Sequence, residues 1–183
     1  MILPIVSYGS SVLRKKCDNV SLKDFSLDIL LKDMWETMYA ASGVGLAAPQ
    51  INQSIRLFII DTSPFSKDLF PNEPSLKQVF INPEIVSEEG PEWVFNEGCL
   101  SIPDVREDVK RKSIITISYQ DEDLNSHIKK FDGIAARVIQ HEYDHINVIL
   151  FIDKISVLRK RIIKSKLSKI SKGNVDVDYR MIF

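Results

Sequence analysis

The chain has 183 residues and a formal net charge of −1, from 24 basic and 25 acidic side chains. That balance excludes the overall basic field of a DNA-coating protein. With 44% hydrophobic and 27% charged residues, it reads as a globular chain long enough for one full core, so a single domain over 1–183 is expected. Cys17 and Cys99 make no disulfide framework and suggest a reducing compartment. No run approaches the ~18 apolar residues of a membrane span. Met1-Ile2-Leu3-Pro4-Ile5 lacks a basic region followed by a long apolar one. The expected location is the cytoplasm, with no membrane association.

In chain order, Ser21-Leu22-Lys23-Asp24 resembles a capping box. Leu27, Leu31, Met34, Trp35 and Met38 then recur at helical spacing. This helix should end near Ser42-Gly43, with the glycine supplying the left-handed turn. A tight loop, Gly43 to Gln50, follows. Arg56–Ile60 and Val79–Val86 predict strands, separated by an irregular surface loop with Pro64, Pro71 and Pro74. Ile115, Ile117 and Tyr119 alternate with polar residues as in a half-buried strand. Ser126–Phe131 is its expected hairpin partner, after the acidic turn Asp121-Glu122-Asp123.

Asp132 can cap a helix over Gly133–Ile146. Ile134, Val138, His141 and His145 fall on one stripe, so both histidines should point inward. A last amphipathic helix should cover about 155–171, with Leu158, Ile162, Leu167 and Ile170 on its apolar face. Val175, Val177 and Tyr179 alternate with Asp176 and Asp178, which suggests a final strand. The fold class is α+β: antiparallel strands packed around a central histidine-bearing helix, with a C-terminal amphipathic helix.

The chemistry is concentrated in His141-Glu142-Tyr143-Asp144-His145. Two histidines four residues apart share a helix face and can reach one metal ion. The intervening Glu142 can handle the proton of a water held there. Such a run can also arise by chance on a surface helix, but two inward histidines need partners. A catalytic site needs a third protein ligand. After His145 the chain has no glutamate and no histidine, which argues against a zinc peptidase cutting internal amides. The upstream candidates are Cys17, Cys99 and His127. Cys99, in Glu97-Gly98-Cys99-Leu100-Ser101, is favoured; the alternative is a small buried core residue. A non-catalytic protein with a structural metal is the other rival reading.

GVGLAAPQ at 43–50, EGCLS at 97–101 and HEYDH at 141–145 resemble, in order and spacing, the three motifs of peptide deformylases. Asn82-Pro83-Glu84, Ile102-Pro103 and Gly133-Ile134-Ala135-Ala136-Arg137 extend the likeness over nearly the whole chain. The resemblance implies an α+β hydrolase that removes the formyl group from the N-terminal formyl-methionine of newly made polypeptides and releases formate. It implies Cys99, His141 and His145 as ligands of one divalent ion, Fe²⁺ in cells, with Zn²⁺, Ni²⁺ or Co²⁺ able to take the site. Residue types alone would not select iron. Glu142 would carry the proton, and the Gln50 amide and Leu100 N–H would face the oxyanion.

The resemblance further implies that the peptide pairs with backbone near Val44 and Gly45, like an added strand. The methionine would enter a pocket formed partly by Ile134 and Val138, and Arg106 would contact the peptide. Three positions depart from the usual pattern: Ile146 replaces a common leucine, and Asp104 and Val148 replace common glycines. Finally, Arg159, Lys160, Arg161, Lys164, Lys166, Lys169 and Lys172 make the helix over 155–171 basic. Some bacterial members dock on the ribosome through a C-terminal helix, so contact with ribosomal RNA is expected here.

Overall fold

The structure, a computed structural model, describes residues 1–21, 26–70 and 72–183. In chain order its elements are β1 (Ile5–Val6), α1 (Leu27–Ala40), β2 (Gly45–Ala47), β3 (Leu57–Asp61), α2 (Ser63–Asp68), β4 (Lys77–Cys99), β5 (Ile102–Gln120), β6 (Ser126–Asp132), α3 (Gly133–Ile146), α4 (Val157–Ile170) and β7 (Met181–Ile182). Five strands form one antiparallel sheet in the order β2-β3-β4-β5-β6, and β1 pairs with β7 in parallel. The α+β expectation holds. No helix among the described residues is long and apolar enough to cross a membrane.

Alternation places the sheet between two helices. Leu57 and Ile59 of β3 face Leu31, Met34 and Met38 of α1. Phe58 and Ile60, one residue out of phase, join Ile115, Ile117, Ile134, Val138 and Ile139 under α3. Because successive side chains on a strand point to opposite faces, β3 is apolar from Leu57 to Ile60 and is buried on both. A third cluster joins Ile102, Val105 and Val109 of β5 to Phe151, Ile163, Leu167 and Ile170.

Several local expectations need correction. The N-terminal capping box falls partly outside the described residues. At the other end of α1, the left-handed residue is Ser42 (φ 54), not Gly43. The Ser42 N–H bonds to the Tyr39 carbonyl and the Gly43 N–H to the Met38 carbonyl, at 3.0 and 2.9 Å. These are the two bonds of a Schellman motif. Gly43 is instead needed for space, since a Cβ there would lie 2.8 Å from Leu100 Cδ1.

The segment predicted as irregular contains α2. Asp132 precedes α3 but makes no side-chain cap. Glu73 takes that part from across the fold, its Oε2 accepting from the Ile134 N–H at 2.7 Å. On α4 the buried stripe is Ile163, Leu167 and Ile170, while Leu158 and Ile162 are 67% and 58% exposed. The final strand does form in the terminal segment, at Met181–Ile182, just past the alternating residues Val175, Val177 and Tyr179.

β4 and β5 are far longer than the periodicity suggested. Register shifts break the ladder at Ile81/Glu84, Ile85/Ser87, Glu89/Glu92 and Gly98/Cys99. Each shift changes which face a side chain meets, so simple alternation disappears. The last shift matters most. Gly98 pairs with Arg106 and Cys99 with Ile102, so Pro103, Asp104 and Val105 bulge from β5. Asp104 takes φ 57 and Val148 φ 69, both left-handed conformations. These are the two positions where the resemblance expects glycine, which explains that preference. Val148 closes α3, with the Ile149 N–H bonding to the Asp144 carbonyl at 2.9 Å.

Candidate functional site

The three sequence motifs converge in space. Cys99 ends β4, Leu100 and Ser101 make the two-residue turn to β5, and His141 and His145 lie one helical turn apart on α3. One ligand atom from each of Cys99, His141 and His145 falls within 4.8 Å of the others, the one such grouping found among the described residues. Cys99 Sγ is 3.3 Å from His145 Nε2. A thiolate and two imidazoles suit a divalent transition ion, and the spacing fits one. Of the other upstream candidates, Cys17 is buried in the core, and His127 pairs with Asp121 and packs on Tyr119. Neither reaches the group.

Cys99 and His141 line a cleft of about 740 Å³ to which all three motifs contribute, with His145 buried behind them. A family model described as polypeptide deformylase matches residues 2–161. The chain belongs to the polypeptide deformylase family. It is 55% identical to the peptide deformylase of Christiangramia forsetii, across 100% of this chain and 96% of that one. The crystal structure of a peptide deformylase from Legionella pneumophila superposes with a TM-score of 0.80 at 38% identity, covering 95% of this chain and 98% of the other. A Plasmodium falciparum peptide deformylase in complex with an inhibitor gives a TM-score of 0.78 at 36% identity, with 92% and 99% covered. The chain is thus a metal-dependent enzyme that removes the N-formyl group from nascent peptides.

Around the three donors, this deformylase is built from a buried charge network. Burial disfavours the Glu97 carboxylate, but Arg111 and His141 more than offset that and hold it well below its usual range. Arg111 donates to it through Nε and Nη2 at 2.7 and 2.9 Å, and Arg137 through Nη1 at 2.8 Å. Arg111 Nη1 also reaches Asp144 at 2.6 Å. His141 Nδ1 stands 3.0 Å from Glu97 Oε2. Since Glu97 is ionised, Nδ1 carries the proton and donates, leaving the Nε2 lone pair free for a metal. Sequence reading missed Glu97. Its position two residues before a favoured ligand was the available signal, but its partners come from β5 and α3.

Glu142 is buried, and among the described residues its Oε2 has no hydrogen-bond partner. Burial pushes its carboxyl up to about 7. The reason Gly45 is glycine is also here. A Cβ at Gly45 would lie 2.7 Å from Glu142 Cδ, so β2 and α3 approach closely enough only without one.

Gln50 sits in a 3-10 turn (Ala48–Ile51) after β2 and is 1% exposed. Its Oε1 accepts from the Ala47 N–H at 2.9 Å. That contact turns Nε2 toward Ser101 Oγ at 3.3 Å and Cys99 Sγ at 3.5 Å. The amide therefore presents a donor beside the three ligands.

The other expected residues divide. β2 is an edge strand. The Val44 carbonyl is taken by the Asp61 N–H at 2.8 Å. Gly45 is one residue further along the antiparallel ladder, so its own N–H and C=O face the open edge. Val138 lines the cleft, whereas Ile134 is fully buried in the core and does not. The apolar wall opposite is Pro64, Phe65 and Leu69, on and just after α2, and Phe95. No periodic signal marked those residues. Arg106 lies at the cleft rim with its Nε on Asn96 Oδ1 at 3.0 Å, folded across Gly98.

Proposed function

We propose that Cys99, His141 and His145 hold one divalent ion and that Glu142, Gln50 and Leu100 carry out deformylation beside it, all within one catalytic domain over 1–183. The observation that carries this reading is the meeting of three donor atoms within 4.8 Å, at the cleft that Glu142 and Gln50 line. When bound, the ion would supply a water acidic enough to ionise near neutral pH.

Glu142 takes a proton from the water that attacks the formyl carbon. It returns the proton to the amine nitrogen as the C–N bond breaks, so formate and a free N-terminus leave. The negative charge that develops on the formyl oxygen meets the Gln50 Nε2 donor and the Leu100 N–H. The substrate peptide adds to the open edge of β2 at Gly45, next to Val44. Its methionine enters the apolar part of the cleft between Val138 and the Phe65–Leu69 wall. Arg106 sits where it can hold the peptide further along.

In cells the ion is Fe²⁺; Zn²⁺, Ni²⁺ or Co²⁺ would suit the same donors. The expected setting is the cytoplasm, on nascent chains. Ribosome contact through α4 narrows to part of its charge. Arg159 pairs with Glu107, and Lys160 and Lys166 bond to the carbonyls of Asp153 and Asp104. Arg161, Lys164, Lys169 and Lys172 line an open surface groove instead and are the candidates for phosphate contact.

X-ray absorption at the metal edge, on protein purified without oxygen, tests the ligand set. One sulfur and two nitrogen scatterers are expected, and the sulfur should vanish in Cys99→Ser. A wild-type spectrum with no sulfur ligand would overturn the assignment.

A further inference from the structure

The turn that carries the Leu100 N–H is held from outside its own sheet. Leu100 and Ser101 connect β4 to β5 and are the only residues between Cys99 and Ile102. Beyond them the ladder is broken, because Pro103, Asp104 and Val105 have no partners across from Gly98 and Cys99. The Cys99–Ile102 pair closes the turn, but the ladder does not resume until Gly98–Arg106. Three further contacts hold the turn from outside. The Tyr8 N–H donates to the Ser101 carbonyl at 2.8 Å, and Gln50 reaches Ser101 Oγ. The Tyr179 hydroxyl donates to the Leu100 carbonyl at 2.7 Å.

Tyr179 arrives there because the chain's end is pinned. The Ile5 N–H bonds to the Arg180 carbonyl and the Ser7 N–H to the Ile182 carbonyl, both at 2.8 Å, as β7 pairs with β1. This pairing starts one residue after Tyr179, so the phenol's position is set by a short, defined tether. Asp176, Val177, Asp178 and Tyr179 thereby form one wall of the cleft. Burial, aided by the nearby Cys99 and Asp104, raises the phenol's pKa above its ordinary value, so it remains a donor across the working pH range.

We infer that Tyr179 is a positioning residue for deformylation: its hydroxyl fixes the Leu100–Ser101 turn so that the Leu100 N–H is aimed into the cleft. The inference rests on the proposed role of that N–H. Aim matters because a donor acts on a transition-state charge only when pre-placed, and small misplacements cost large factors in rate. The carbonyl that Tyr179 holds belongs to the peptide unit next after the one carrying the N–H. Rotation of Leu100 about its own backbone bonds would move the donor unless that carbonyl is fixed.

The test is a double-substitution cycle read by kcat and KM on a formyl-methionyl peptide. Tyr179→Phe keeps the ring and deletes the bond. Replacing the Leu100 amide by an ester, through incorporation of the corresponding hydroxy acid, deletes the N–H itself. Tyr179→Phe should lower kcat about tenfold with KM within about twofold and metal content unchanged. The ester should lower kcat by about 100-fold or more. In the ester background Tyr179→Phe should cost less than about twofold, since there is no donor left to aim. If the ester leaves kcat unchanged, the Leu100 role fails. If the ester lowers kcat but Tyr179→Phe does not, or if the two losses simply multiply, the positioning role alone fails. A loss of kcat that tracks loss of metal would also overturn it.

Discussion

Glu142→Gln should leave the metal bound and lower kcat for a formyl-methionyl peptide by about 10²–10⁴-fold, the scale of a lost general acid–base. Glutamine has nearly the same shape, so it can occupy the space that Gly45 leaves for the carboxylate. It cannot take up a proton and hand it on. Among the described residues Glu142 makes no ion pair and its Oε2 has no hydrogen-bond partner, so the change removes no structural bond there. The loss should therefore fall on kcat, with folding and metal content near wild type. Turnover at the wild-type rate, measured by formate release with metal content determined in parallel, would remove Glu142 from the reaction.

Glu97→Leu should be the most destabilising single change at the site. Glu97 accepts from Arg111, Arg137 and His141 in a region where both guanidinium groups are only 2% exposed. Removing it leaves two buried positive charges facing each other, with Asp144, which Arg111 shares with Lys154, as the one carboxylate left beside them. Breaking a buried charged network costs about 3–5 kcal/mol. At about 2–4 °C per kcal/mol for a chain of this size, Tm should fall by roughly 6–20 °C. His141 also loses the acceptor that fixes its Nδ1 proton, so metal affinity should drop about 10–100-fold. Glu97→Gln keeps the volume and should fall between wild type and Glu97→Leu. Thermal melts and metal titration of the three proteins check the order. A Tm unchanged in Glu97→Leu would show that the network carries no net stability.

Much of the architecture was legible because it is local. The α3 limits, Gly133 and Ile146, match the helix read from the stripe Ile134, Val138, His141 and His145, although the Asp132 cap that was expected to start it does not form. β3, Leu57–Asp61, lies one residue on from the expected Arg56–Ile60, marked by the apolar run from Leu57 to Ile60. The full length of the β4–β5 hairpin was hidden because register shifts break its alternation, so only Val79–Val86 and the stretch around Ile115–Tyr119 carried a strand pattern. On α4 the expected Leu167 and Ile170 are buried, but Ile163 is buried in place of Leu158 and Ile162, because two registers of apolar residues coexist there and only packing against β5 chooses between them. Left-handed Ser42 and Val148 could not be foreseen, since both helix ends are fixed by backbone bonds that tolerate a non-glycine residue at some strain.

The site divides in the same way. His141, Glu142 and His145 are four residues' span of one helix, so spacing alone brings them together. Cys99 and Gln50 came from the resemblance and the absence of a downstream ligand, and the fold delivers both to the histidines. Ile134 was misassigned because its helical phase matches that of Val138, yet the cleft ends one turn short of it. Glu97, the Phe65–Leu69 wall and Tyr179 depend on long-range packing, which no window of sequence contains.

The most direct test of the account is formate release from a formyl-methionyl peptide before and after removal of the metal. Purified anaerobically, the enzyme should release one formate per peptide without cutting internal amides. It should lose that activity on chelation and regain it when Fe²⁺ is restored. Undiminished formate release after complete metal removal would contradict the metal centre of Cys99, His141 and His145.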